Sequence, residues 1–233
     1  LFGITIKFDR ATNCYYIKED LSNDIEKRFL ETFDLVNALK NRDKLSNFIS
    51  FDSRKQGGTE HFYGLLHAIR NRLQIAFSYQ KFYSDHLSER TVNPLALKEF
   101  KYRWYLFARD TYDDRIKTYA LDRLSDLQIL NVNFEGYTDF NIAEYLQYCF
   151  GIIRPNDESE QPQEIVLSFT PFQGNYIKTL PLHHSQKTLI DNDKELRISL
   201  NLYVTFDLMQ EILSYGNSVK VIAPCTFAKK LKI

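Results

Sequence analysis

Cysteine is scarce and badly placed for pairing. The three cysteines, Cys14, Cys149 and Cys225, are far apart in the chain and none stands in a CxxC spacing. That argues against a cysteine-built zinc site and against a disulfide framework, and it suits a reducing cytoplasm. Glycine is also scarce, with 8 in 233 residues. Neither GxGxxG nor a Walker-type loop occurs, so a glycine-rich phosphate cradle is not expected. No GxSxG is present. No run of ~18 apolar residues is available to span a membrane. Residues 1–20 lack the cationic start and apolar stretch of a signal peptide. The chain opens on Leu1 and its one methionine is Met209, so it reads as part of a longer polypeptide. Charge of one sign is missing as well: 30 basic and 30 acidic side chains cancel, and no global basic excess announces a nucleic-acid binder.

What the chain has is rings and local charge. Aromatic residues make up 15% of it, with 15 tyrosines and 18 phenylalanines. The neutral total hides zones. Residues 70–123 carry 11 basic and 7 acidic side chains, whereas residues 124–170 carry 8 acidic side chains and one basic, Arg154. A basic stretch interleaved with tyrosine and phenylalanine suits an anionic or nucleic-acid partner; a solvated surface with local imbalance accounts for it equally well.

Residues 2–8 alternate and CYYI at 14–17 returns after a polar turn, which predicts a hairpin. Asn23 with Glu26 forms a capping box ahead of an amphipathic helix over 24–40, and residues 41–58 read as a linker ending in Gly57-Gly58. Thr59 is placed to cap a second helix with the stripe Phe62, Leu65, Leu66 and Ile69. From Leu73 the period becomes two. Strands are expected at 73–82, 90–97 and 103–109, then a strand, a bend and a strand over 115–130, which suggests a small antiparallel barrel. A short helix over 138–150 leads to the acidic stretch 154–163, read as a linker. Beyond it the order strand, helix, strand, strand, helix, strand is ferredoxin-like. Its elements are 164–169, 171–181, 187–190, 196–204, a helix capped by Thr205 with Gly216 as its stop, and 219–223.

The segment from Val92 to Leu130 resembles a WYL domain. The features that carry the likeness come in order: Tyr79 in IAFSY, Pro94-Leu95, Trp104-Tyr105-Leu106, Asp110 at the strand end, and YALDRL at 119–124. Residues 164–233 resemble the C-terminal extension that follows WYL, through LSYG at 213–216 and VKVIAP at 219–224. Residues 2–17 resemble the wing hairpin of a winged helix-turn-helix. The resemblance implies an α+β chain. It would comprise a wing remnant (1–20), a linker helix (21–58), an SH3- or Sm-like WYL barrel with its helix (59–150), a linker (151–163) and a ferredoxin-like extension (164–233). It also implies a bacterial transcriptional regulator that meets operator DNA through an upstream domain, since no recognition helix is present in this sequence.

Members of such a family are expected to sense a nucleotide-like or nucleic-acid ligand with the barrel, using cationic donors for phosphate and rings for stacking. Arg123, beside Asp122 in the best-matching stretch, is the leading candidate because its planar fork suits phosphate; its structural alternative is a salt bridge. Tyr79, Arg90, Arg103 and Arg109 are further candidates. Alternation puts Trp104, Leu106 and Ala108 on one face, read as core, and Tyr105, Phe107 and Arg109 on the other, where Tyr105 is a candidate as well. Arg72 reads as a helix-end charge. Asp113-Asp114 reads as a solvated turn. His183-His184, taken as neighbours on a strand, point apart, so no metal and no cofactor are expected. An enzyme is the least supported class. Two readings remain open: the ligand-sensing, dimerising portion of a cytoplasmic regulator, and a single-stranded nucleic-acid-binding module with no regulatory role.

Overall fold

The computed structural model describes residues 5–9, 14–18, 57–84, 86–135, 140–157 and 159–231. The expected helix over 24–40 and the linker over 41–56 lie outside them. The chain divides into two units, 1–135 and 136–233. Among the described residues no helix is long and apolar enough to cross a membrane.

The predicted N-terminal hairpin is present. β1 (Thr5–Asp9) pairs antiparallel with β2 (Cys14–Lys18), from Thr5 opposite Lys18 to Asp9 opposite Cys14.

The rest of the first unit is one helix and five antiparallel strands. α1 (Phe62–Asn71) follows a 3-10 turn at Thr59–His61. Thr59 opens that turn and does not cap the helix with its side chain; Gly58, at φ 78, stands at the cap position instead. The buried face of α1 is Phe62, Leu65 and Ala68. Leu66 and Ile69, expected in the stripe, are only half-buried. Ala68 takes the fully buried position, and Ile69 packs against the core beside it. Arg72 ends the helix in the left-handed region, at φ 52, and its carbonyl accepts the Phe134 N–H at 3.0 Å.

β3 (Leu73–Gln80), β4 (Leu87–Phe100), β5 (Arg103–Asp110), β6 (Ile116–Ala120) and β7 (Leu124–Asn133) form a sheet in the order β6-β5-β4-β3-β7. A 3-10 turn, Leu121–Arg123, joins β6 to β7. Among the described residues β6 and β7 do not pair with each other, so the hydrogen-bonded order is that of an open sheet. β4 serves two neighbours. Leu87–Val92 pairs with β3 and Val92–Phe100 pairs with β5. Pro94 lacks a ladder N–H and sits where the β4–β5 register shifts, the place a central strand tolerates proline. Leu65, Ala68, Ile75, Phe77, Val92, Leu106, Ala108, Tyr119 and Leu121 make the core, with Trp104 packed against it. The apolar face of β5 is therefore the one alternation predicts. Phe107 on the opposite face is buried too, at 1% exposure, so β5 is covered on both sides.

In the second unit, β8 (Gln163–Phe169), β9 (Lys187–Asp191), β10 (Leu196–Leu202) and β11 (Val219–Ala223) form an antiparallel sheet in the order β11-β8-β10-β9. Ile165, Leu167 and Phe169 stand opposite Leu200, Ile198 and Leu196, which is the period-two signal turned into a core. Both outer strands carry a register irregularity, which blunts edge-to-edge pairing. The expected helix over 138–150 shrinks to α2 (Ile142–Tyr145), capped by Asn141. α3 (Pro171–Thr179) is capped by Thr170, with Pro171 in its first turn. α4 (Phe206–Ser214) follows Thr205, whose side chain makes no cap bond; Asp207 instead accepts the N–H groups of Ile152 and Ile153, at 2.9 and 3.1 Å. α5 (Cys225–Leu231) closes the described chain. His183 and His184 fall in the turn before β9. There the backbone reverses, so the two rings lie 3.9 Å apart instead of pointing to opposite faces.

Gly58 is the contact that seats the Leu121–Arg123 turn. A Cβ at Gly58 would collide with the Leu121 carbonyl, and its φ is one that side chains resist. Backbone cannot yield as a side-chain tip can. Gly58→Ala is expected to destabilise the fold by about 2–4 kcal/mol, read as a lowered urea midpoint with the slope unchanged.

Candidate functional site

The inner face of the first sheet changes character along its length. Register places Phe77 and Tyr79 of β3 on the face that carries Arg90 and Val92 of β4. β5 adds Leu106, Ala108 and then Asp110, and β6 adds Tyr119 and Lys117, because Leu106 pairs with Tyr119 and Ala108 with Lys117. The apolar core thus ends at a charged residue: Asp110 is 2% exposed.

Four groups converge on that carboxylate. Its Oδ2 accepts from Lys117 Nζ at 2.8 Å and from the Tyr119 hydroxyl at 3.3 Å, and lies 3.6 Å from Arg90 Nη1. Its Oδ1 accepts the Tyr112 N–H at 2.9 Å. Lys117 also meets Asp113 at 2.7 Å. Burial pushes the Asp110 pKa up, but the Lys117 and Tyr112 hydrogen bonds outweigh it and hold the carboxyl below its ordinary value. Burial and the nearby Asp110 charge drive Tyr119 well above the usual tyrosine range.

Rings carry the site outward from there. Tyr119 stacks edge-on against Phe77 and Tyr79, each at 5.1 Å between centroids. The Tyr79 hydroxyl accepts the Ala120 N–H at 3.2 Å, and burial raises its pKa. Arg123, presented by the 3-10 turn, lays its guanidinium over the Tyr79 ring at 5.2 Å and the Phe82 ring at 4.3 Å. No carboxylate among the described residues lies within ion-pair reach of Arg123, and its buried Nε has no hydrogen-bond partner there. The salt-bridge alternative for this arginine therefore gives way to cation–π stacking. Phe82 is 66% exposed. The result is a continuous belt from Phe82 through Arg123, Tyr79, Tyr119 and Asp110 to Arg90 and Lys117.

Of the six candidates, the structure brings together Tyr79, Arg90 and Arg123. The other three lie elsewhere. Arg103 starts β5, at the far end of that strand from Asp110, and meets Asp122 at 3.4 Å. Tyr105 and Arg109 share the face of β5 opposite Asp110. Arg109 meets the Asp114 carboxylate at 2.8 Å, so Asp113 and Asp114 are ion-pair partners and not simply solvated turn residues. Sequence reasoning missed Lys117, Tyr119, Phe82 and the role of Asp110. A signal was there for two of them: Lys117 and Tyr119 are two apart on one strand and so share a face. Among the described residues no group of three His, Cys, Asp or Glu side chains is placed to hold a metal ion.

A stacked guanidinium with spare donors, an exposed ring and two more cations can take a phosphate and an aromatic base together. A family model described as WYL domain matches residues 60–129, the span that builds this face, and one described as WCX domain matches residues 161–232. Among solved structures, the chain resembles proteasome accessory factor B/C (PafBC) of Arthrobacter aurescens at 20% identity and a TM-score of 0.38, over 99% of this chain and 37% of that one. It resembles a CRISPR Cas-related protein at 10% identity and a TM-score of 0.45, over 75% of this chain and 50% of that one. The chain spans half or less of the length of either. No curated protein matches it.

The Asp110 pKa lies lower in the folded chain than in the unfolded one. Its contribution is therefore present above about pH 4 and is lost as pH falls through the folded value. Asp110→Asn is expected to cost about 1–3 kcal/mol at neutral pH. The gap between parent and variant in urea unfolding should close as pH drops below about 4.

Proposed function

Since the chain carries a WYL domain followed by a WCX domain, and so belongs to the WYL-domain family, we propose that it is the ligand-sensing portion of a bacterial, cytoplasmic transcriptional regulator. Its ligand is nucleotide-like or a single-stranded nucleic acid, held at the Arg123–Tyr79–Phe82 end of the belt. The observation that carries this reading is Arg123: a guanidinium seated on two rings, with no carboxylate to neutralise it among the described residues. Such a cation offers its edge to phosphate while Phe82 offers a face to a base. Arg90 and Lys117 add positive potential from the same face.

Finer points of architecture go with the reading. The β6-β5-β4-β3-β7 order with a 3-10 turn before the last strand fits a small SH3-like barrel. The β11-β8-β10-β9 order with its two crossing helices fits a ferredoxin-like extension. Ligand occupancy would bias the arrangement of two such chains in a homodimer, and through it the affinity of an upstream winged helix for operator DNA. A module that only holds single strands is the second reading. Tyr83 and Tyr112, which are almost wholly exposed in the β3–β4 and β5–β6 turns, favour a ligand with more than one base.

Fluorescence anisotropy with a short labelled oligothymidylate tests the site. Arg123→Ala should weaken binding about 10- to 100-fold and lower the slope of log affinity against log salt by about one. Equal affinity in parent and variant would contradict the assignment.

A further inference from the structure

The belt holds its own anion, and that anion cannot leave. Lys117, Tyr119 and Arg90 all direct their donors or charge at one atom, Asp110 Oδ2, while Oδ1 is pinned by the Tyr112 N–H. Asp110 lies in the last position of β5 and is 2% exposed. Arg90 sits 3.6 Å from Oδ2, close enough for charge attraction and too far for a hydrogen bond, so its donor fork is not used up by the carboxylate. Its side chain is 26% exposed and that of Lys117 is 32% exposed. Both cations therefore reach solvent from the sheet face that also carries Tyr79, on which Arg123 is stacked. Of the three cations on the belt, two face Asp110, and Lys117 faces Asp113 in addition.

We infer that Asp110 is a built-in counter-anion that sets the charge the site accepts: it cancels much of the attraction of Arg90 and Lys117 and leaves Arg123 as the dominant phosphate donor. This rests on the anionic-ligand reading above and adds a sign that the reading alone does not give. Removing a buried acid beside a binding site should strengthen binding, even though it weakens the fold. A carboxylate on the same partly buried face as a bound phosphate is worth about a factor of ten in affinity. Asp110 thereby disfavours ligands rich in charge only weakly opposed by stacking, and it shifts selectivity toward those that also present a base to Phe82.

Asp110→Asn in the full chain is the direct test, with labelled oligothymidylate as the probe and circular dichroism to verify folding. The asparagine keeps an oxygen for the Tyr112 N–H, and Lys117 keeps Asp113. Affinity should rise about tenfold, and the salt slope should steepen by about one as a further cation becomes available to phosphate. A purely structural role for Asp110 would leave the slope unchanged. Unchanged or weaker binding by a folded variant, with the parent still binding, overturns the inference and leaves the site reading intact. Absence of binding in parent and variant alike overturns both. Should Asp110→Asn not fold, Asp113→Asn decides in its place. It removes one of the two carboxylates that meet Lys117 and leaves Asp110 in place, so a rise smaller than tenfold supports the inference and no rise overturns it.

Discussion

Everything in the candidate site depends on how one buried carboxylate is satisfied. Asp110 ends an apolar strand face, so its charge sits at the boundary between core and water. A charge there is tolerated only if donors meet it. They come from three directions: Lys117 and Tyr119 from β6, Arg90 from β4, and a backbone N–H from the turn after β5. Meeting that need fixes the positions of two cations and one phenol. The phenol ring in turn packs on Phe77 and Tyr79, and Tyr79 carries Arg123. A structural requirement of the core thus arranges a row of cations and rings along the sheet.

The backbone around that row is set by local chemistry. Pro94 is accommodated where the β4–β5 ladder shifts. Lys101 and Tyr102, at φ 48 and 64, make the tight β4–β5 turn, steadied by the Tyr102 N–H donating to the Glu99 carboxylate at 2.7 Å. Gly58 lets the chain ahead of α1 press on the Leu121 carbonyl. That contact matters because Leu121 begins the 3-10 turn that presents Arg123.

Period-two alternation made the strands and the inner face of β5 legible from sequence. Trp104, Leu106 and Ala108 face the core as alternation requires, and the second unit's order of elements could be read in the same way. Helix ends were harder. Thr59 and Thr205 look like caps, yet neither side chain caps: Thr59 lies inside a 3-10 turn that follows Gly58, and the Thr205 side chain makes no bond to the start of its helix. The site was half legible. Arg123, Arg90 and Tyr79 converge because they occupy one face or reach it. Arg103 and Arg109 offer charge, but Arg103 is taken up by Asp122, brought near only by the folding of the sheet, and Arg109 by Asp114 across the turn after β5. Asp110 is legible as a strand end but not as a centre, because nothing local in the sequence shows that Lys117, Tyr119 and Arg90 gather around it.

The measurement that bears most directly on the central claim is an NMR titration of the isotope-labelled full chain with unlabelled oligothymidylate, following backbone amides and arginine Nε–H groups. The account predicts that the Arg123 Nε–H signal moves, together with amides of Tyr79, Phe82, Arg90 and Lys117. Shifts confined to residues 163–231, or an Arg123 signal that stays in place while others move, would contradict it.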